Sequence, residues 1–208
     1  MIWFTADTHF GDEVVRSVCK RPFSTVEQMD RALVNNINAL VGLKDELYIL
    51  GDFANYMTGP EQLAVREAIF CERVHLVPGN HDRDWSRPLP EAAGWEPFIL
   101  EPPIAKLKLD RAHGARRLIL CHYPIMDWEG LGQGWVHLHG HIHATSEYNA
   151  RNRELGLLRY DVGMDANDFL PVSLDEVLSY FDGVEARRRV DWHEWLAMLP
   201  YDDGRGEE

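Results

Sequence analysis

Carboxylates, imidazoles and one amide stand in five short blocks along this chain: Asp7-x-His9, Gly51-Asp52, Gly79-Asn80-His81-Asp82, His122 and Gly140-His141-Ile142-His143. Oxygen and imidazole donors suit borderline and hard divalent cations, and no thiolate in the blocks points to a structural cysteine-based zinc site. Asp7 and His9 lie two residues apart, so an extended strand end would aim both side chains at one ion. Asp52 has two carboxylate oxygens and can bridge two cations. Asn80 offers a neutral amide oxygen after the tight turn that Pro78-Gly79 favours. His81 beside it points elsewhere and is left for proton transfer.

Each block follows an apolar run that reads as a β-strand: MIWFTA, ELYILG, RVHLVPG, RLILC and WVHLHG. Strand ends in a packed sheet converge, so blocks far apart in sequence can line one pocket. Strands are also expected over 96–100, 104–109 and 157–162. Residues 26–41 place Val26, Met29, Leu33, Ile37, Leu40 and Val41 at helical spacing, with Thr25 and Gln28 as a capping box. Pro60, as a first helical residue, opens a second helix through Phe70. Ser173 and Glu176 cap a third that runs to about Phe181, and 191–199 reads as a fourth. Alternation in RLILC sets Leu118, Leu120 and His122 on one face and Cys121, a small buried hydrophobe, on the other. His137, His139, His141 and His143 share one phase; the first two read as supporting or surface imidazoles. The pattern is that of an α/β chain with a mixed sheet.

With 208 residues, 45% of them hydrophobic, and no linker-like stretch, the chain reads as one domain over 1–200 with an acidic tail over 201–208. The formal net charge of −13 favours a small phosphorylated substrate over long duplex nucleic acid, because backbone recognition needs a basic stripe. Arg187-Arg188-Arg189, the dense basic run, lies outside the blocks. No apolar run approaches the roughly 18–20 residues that span a bilayer, so no membrane partner is expected. Cys19, Cys71 and Cys121 are an odd, widely spaced set, and the N-terminus carries no export pattern; both point to a reducing cytoplasm.

In order and type the five blocks resemble those of the calcineurin-like metallophosphoesterases: Asp-x-His, Gly-Asp, Gly-Asn-His-Asp/Glu, His and Gly-His-x-His. The match spans Asp7 to His143. The resemblance implies two mixed β-sheets stacked face to face and flanked by helices, a four-layer αββα sandwich with metals at one end. It implies one divalent cation on Asp7, His9, Asp52 and His143, and a second on Asp52, Asn80, His122 and His141. The ions would be Mn²⁺, Zn²⁺, Fe²⁺ or Ni²⁺. About 3.5–4 Å apart, they would bridge a hydroxide that attacks phosphorus in line. His81 would protonate the leaving group, and Asp82 would orient His81.

Protein Ser/Thr phosphatases of this superfamily read Gly-Asp-x-Val-Asp-Arg-Gly, where this chain reads Gly51-Asp52-Phe53-Ala54-Asn55-Tyr56-Met57. The second carboxylate and the arginine are missing. The chain looks more like small bacterial and phage-type members that open Asp-Thr-His-Phe-Gly-His and carry Arg-Pro-Phe, matched by Arg21-Pro22-Phe23. Asp12 replaces their last histidine; facing substrate, it would weaken an anionic contact. Asp161 to Asp165 and Leu170 to Ser173 resemble the last strand of that subgroup and its exit to a helix. The expectation is a cytosolic, dinuclear metal-dependent phosphodiesterase acting on nucleotide-like or other small phosphoesters. Its rivals are a phosphomonoesterase of the same fold and a non-catalytic interaction module, against which His81 and the complete ligand set speak.

Overall fold

The computed structural model describes residues 1–187 and His193, apart from 88, 112, 114 and 115. Along the chain run β1 (Ile2–Thr5), α1 (Glu13–Val18), α2 (Val26–Leu40), β2 (Glu46–Ile49), α3 (Gly59–Ala68), β3 (Arg73–Leu76) and β4 (Ile99–Leu100). Then follow β5 (Ile104–Lys108), β6 (Arg117–Cys121), β7 (Val136–His139), α4 (Ser146–Glu154), β8 (Arg159–Asp161), β9 (Val172–Ser173) and α5 (Leu174–Tyr180).

Short runs apolar on both faces make strands that are covered on both sides, the condition for parallel pairing. β1, β2, β3 and β4 pair in parallel, with β9 antiparallel on the far side of β1. A second sheet orders β5-β6-β7-β8, with β5 alone antiparallel. Phe4 and Tyr48 face Leu118, Leu120, Val136 and Leu138 across the two sheets. The opposite residues, Trp3, Leu47 and Ile49, pack on Met29, Leu33 and Ile37 of α2. Each of those helix residues is fully buried, which stabilises the fold by roughly 1.5–3 kcal/mol apiece. On the far face α4 lies over β8: Asn149 accepts the Asp161 N–H at 2.7 Å and donates to the Asp161 carbonyl at 3.0 Å. The layers are therefore helix, sheet, sheet, helix, as the resemblance implied.

The helix ends show what local signals capture. Ser173 and Glu176 form the expected reciprocal box. Thr25 does accept the Gln28 N–H, but the Gln28 side chain takes the Ser24 N–H at 2.8 Å, so only half a box forms. Pro60 is the second helical residue, because Thr58 caps α3 in a box with Glu61, and the helix stops at Ala68, short of Phe70. Strands expected over 96–100 and 157–162 shrink to β4 and β8. The helix expected over 191–199 and the acidic tail lie outside the described residues.

Candidate metal centre

Three strand ends of the first sheet and two of the second meet at one end of the sandwich. Asp7 N donates to the Gly51 carbonyl at 3.0 Å and His9 N to the Asp52 carbonyl at 3.0 Å, joining the first two blocks. Gly140 N donates to the His122 carbonyl at 2.9 Å, joining the last two. The sheets are tied by the His141 N–H, which donates to Asp7 Oδ2 at 2.9 Å, and by His122 Nδ1, 2.8 Å from the Leu50 carbonyl. Glycine is required where these loops touch: a Cβ on Gly140 would lie 2.5 Å from Asp7 Oδ2, and one on Gly79 2.3 Å from Asp52 Oδ1.

The local backbone differs from the extended geometry expected of the first block. Asp7 and His9 have φ of 55° and 48°, in the left-handed region, as do Asp52 (55°), His141 (76°) and His143 (45°). L-residues rarely adopt this region, and its clustering on the proposed ligands marks a site held by its surroundings. Asp7 and His9 still converge, but through a turn. The alternation expected from His137 to His143 likewise ends with β7. His137 and His139 are fully buried, with neither on the surface, and Tyr148 of α4 lies edge-on to His139 at 5.5 Å.

Besides Cys19, His143 and Asp165, two groups of donor atoms result: Asp7, His9 and His143, and Asp52, His122 and His141, each with its atoms within 4.8 Å of one another. Asp52 Oδ2 stands between them, 3.4 Å from His9 Nε2 and 3.3 Å from His122 Nε2. Asn80 Oδ1 is 3.0 Å from His122 Nε2. Leu50's carbonyl makes His122 Nδ1 the protonated nitrogen, so Nε2 aims a lone pair at Asn80, at Asp52 and at His141 Nδ1, 3.2 Å away. His9 repeats this: Nδ1 donates to Asp12 Oδ2 at 3.1 Å, and Nε2 is buried with no hydrogen-bond partner. Buried lone pairs that converge in this way are a cost unless a cation lies among them, and the donor set suits divalent ions.

Burial would raise the Asp52 carboxyl, but the His122 and His9 imidazoles beside it, together with the His81 N–H, hold it well below the usual range. Burial does raise Asp7. Burial opposes charging of His143, yet its bond to Asp165 pushes it up to about 10.

Behind the donors lies a layer that motif reading did not assign. His143 Nδ1 meets Asp165 Oδ2 at 2.8 Å, and Arg21 grips both Asp165 oxygens at 2.9 and 2.7 Å. The same guanidinium donates to the Asp7 carbonyl at 2.7 Å and the Thr8 carbonyl at 3.1 Å. Arg21 thus fixes the turn bearing Asp7 and His9 to the partner of His143; Arg21-Pro22-Phe23 was the visible signal. Asp12 is 1% exposed and faces inward, capping α1 through the Val15 N–H at 2.9 Å, so it is not a substrate-facing replacement.

His81 sits exposed at the mouth, its N–H on Asp52 Oδ1 at 2.8 Å. Asp82 does not orient its ring. The Asp82 carboxylate accepts from the backbone of Asp52 (2.9 Å), Phe53 (2.8 Å) and Gly79 (2.8 Å), clamping two metal-facing loops together. The His81 ring instead meets Asn55, with Nδ2 3.3 Å from Nδ1, and the His9 ring edge-on at 5.2 Å.

The chain is 26% identical over 192 residues to an uncharacterised protein of Methanocaldococcus jannaschii, covering 91% of this chain and 96% of that one. It is 26% identical over 206 residues to the gene 66 protein of Mycobacterium phage L5, covering 90% and 97%. In fold it is similar to the crystal structure of a protein of unknown function from Aquifex aeolicus. That likeness has a TM-score of 0.62 at 23% identity, over 85% of this chain and 97% of the other. Residues 1–170 match the calcineurin-like phosphoesterases, and the chain belongs to that family of metal-dependent phosphoester hydrolases.

Proposed function

We propose that the protein is a dinuclear phosphodiesterase acting on nucleotide-like or other small phosphoesters. Asp7, His9, Asp52 and His143 would hold one divalent cation; Asp52, Asn80, His122 and His141 would hold the other. The observation that carries this reading is Asp52 Oδ2, which stands 3.4 Å from an imidazole of one group and 3.3 Å from an imidazole of the other. When bound, two cations drawn from Mn²⁺, Zn²⁺, Fe²⁺ or Ni²⁺ supply Lewis acidity toward the phosphoryl oxygens and a water of lowered pKa.

His81 gives the leaving group its proton. Asn55 Oδ1 accepts the Tyr56 N–H at 3.0 Å, and Asn55 Nδ2 donates to Asp12 Oδ2 at 3.0 Å, which sets the orientation of the amide. His81 Nδ1 is therefore the acceptor facing Nδ2, which leaves Nε2 as the nitrogen that carries a proton to the leaving group. Asn55, through this contact, does the orienting first expected of Asp82.

A diester suits the site better than a monoester, which brings a second negative charge. Arg21, the guanidinium that touches the cluster, is turned inward onto Asp165 and two carbonyls. The Gly51–Met57 tract has no arginine to replace it. Parallel assays on bis- and mono-p-nitrophenyl phosphate test the reading, using protein stripped of metal and reloaded with Mn²⁺, Zn²⁺, Fe²⁺, Ni²⁺ or Mg²⁺. Two ions per chain and a higher kcat/KM on the diester are expected. A higher kcat/KM on the monoester makes the protein a phosphatase of this family, and one ion per chain ends the dinuclear proposal.

A further inference from the structure

Four residues beyond His81 the chain reaches Trp85, one wall of a cavity of about 410 Å³. Trp95, Phe98, Leu89 and Ala92 form other walls, and Arg87 and Glu96 add charged groups of opposite sign. The volume lies in the range of small-molecule sites. Two tethers bind this cavity to the metal-facing loops. Four residues span at most about 14 Å, so Trp85 stays close to His81. The Phe98 ring meets Trp85 edge-on at 4.7 Å and Phe53, the neighbour of Asp52, at 5.1 Å. Arg83, two residues after His81, lies over the Trp85 ring at 5.1 Å and pairs with no carboxylate among the described residues.

We infer that this cavity holds a nucleobase on the leaving-group side of the substrate and so selects nucleotide-like phosphoesters. The inference rests on the phosphodiesterase reading and names what that site selects. A purely apolar ligand would gain nothing from Arg87 and Glu96. A nucleobase offers a π face to the indoles, and an edge with an acceptor for Arg87 and a donor for Glu96.

The test pairs binding with turnover. Adenosine, which has no phosphate to reach the metals, should quench tryptophan fluorescence saturably in the wild-type protein. Ala92→Phe, which fills the cavity, and Trp95→Ala, which removes an exposed wall, should each weaken that binding by about tenfold or more, within the usual weight of one base–aromatic contact. On adenosine 5′-(methyl phosphate) both variants should lose kcat/KM to a similar degree. On glycerol 3-(methyl phosphate), whose leaving groups are chemically alike but carry no ring, both should stay within about twofold of wild type. Equal losses on the two esters, or adenosine binding unchanged in both variants, would overturn the inference. Adenosine binding that both variants weaken, in a protein that cleaves neither diester, would support the cavity and overturn the diesterase reading.

Discussion

His81 is joined to the metal-facing groups through its backbone: its N–H rests on Asp52 Oδ1, while the ring stands exposed beside Asn55. Binding and chemistry should therefore separate at this residue. His81→Ala should keep both ions and lose on the order of 10²–10⁴ in kcat on alkyl or nucleoside esters, the usual contribution of a positioned general acid. Nitrophenolate leaves with little protonation, so the loss should shrink on nitrophenyl esters. Equal slowing on both would make His81 a phosphate-binding residue. That Asp7, His9, Asp52, Asn80, His122, His141 and His143 come together was legible in the sequence, because their types and the strands before them single them out. The work of Asp82 was not, because its partners are backbone N–H groups that every block possesses. Asp12 and Asp165 were hidden for a related reason: each acts through a histidine, and nothing in their spacing names which one.

At the scale of elements, Asp82 holds the loop after β2 against the loop after β3. Asp82→Ala would strand the N–H groups of Asp52, Phe53 and Gly79, each costing about 1–3 kcal/mol where water cannot reach it. The expected outcome is a lower melting temperature together with weaker metal retention, read by thermal denaturation and metal analysis of the same samples. Full metal retention at wild-type stability would show that the loops hold without the clamp. Elements with an apolar period were readable; those without one were not. Helix α4, SEYNARNRE, has no apolar stripe, and its buried residues are Asn149 and Asn152. It is fixed by hydrogen bonds to Asp161 and Arg159, which periodicity cannot reveal. Helix α1 buries no residue, and its signal is the cap on Asp12.

Across the whole molecule, the sheet order was beyond local reading: β9 is two residues long and finds its place against β1 only once the chain has closed. The interior also carries a pH dependence. Burial lowers His137 from 6.5 to about 4, and His139, against Tyr148 of α4, falls well below 6.5 for the same reason. The folded state keeps His137 neutral while the unfolded chain takes up a proton near 6.5, so stability is lost as pH falls through that window toward 4. The full effect is on the order of 3 kcal/mol. His137→Phe leaves the Ile125 N–H without its acceptor and should be about 1–3 kcal/mol less stable at pH 7. That deficit should narrow at pH 5, as measured by urea unfolding. A deficit equal at both pH values would contradict a neutral His137.

The left-handed turns have one more consequence. Asp7, His9, Asp52, His141 and His143 each sit where an L-residue costs roughly 1 kcal/mol, and together they set a sum comparable with the stability of an ordinary domain. A cation that binds only the folded chain lowers that state by mass action. Loading and folding then form one equilibrium, and stripping the divalent ions should lower the melting temperature even at a pH where no side chain changes its charge.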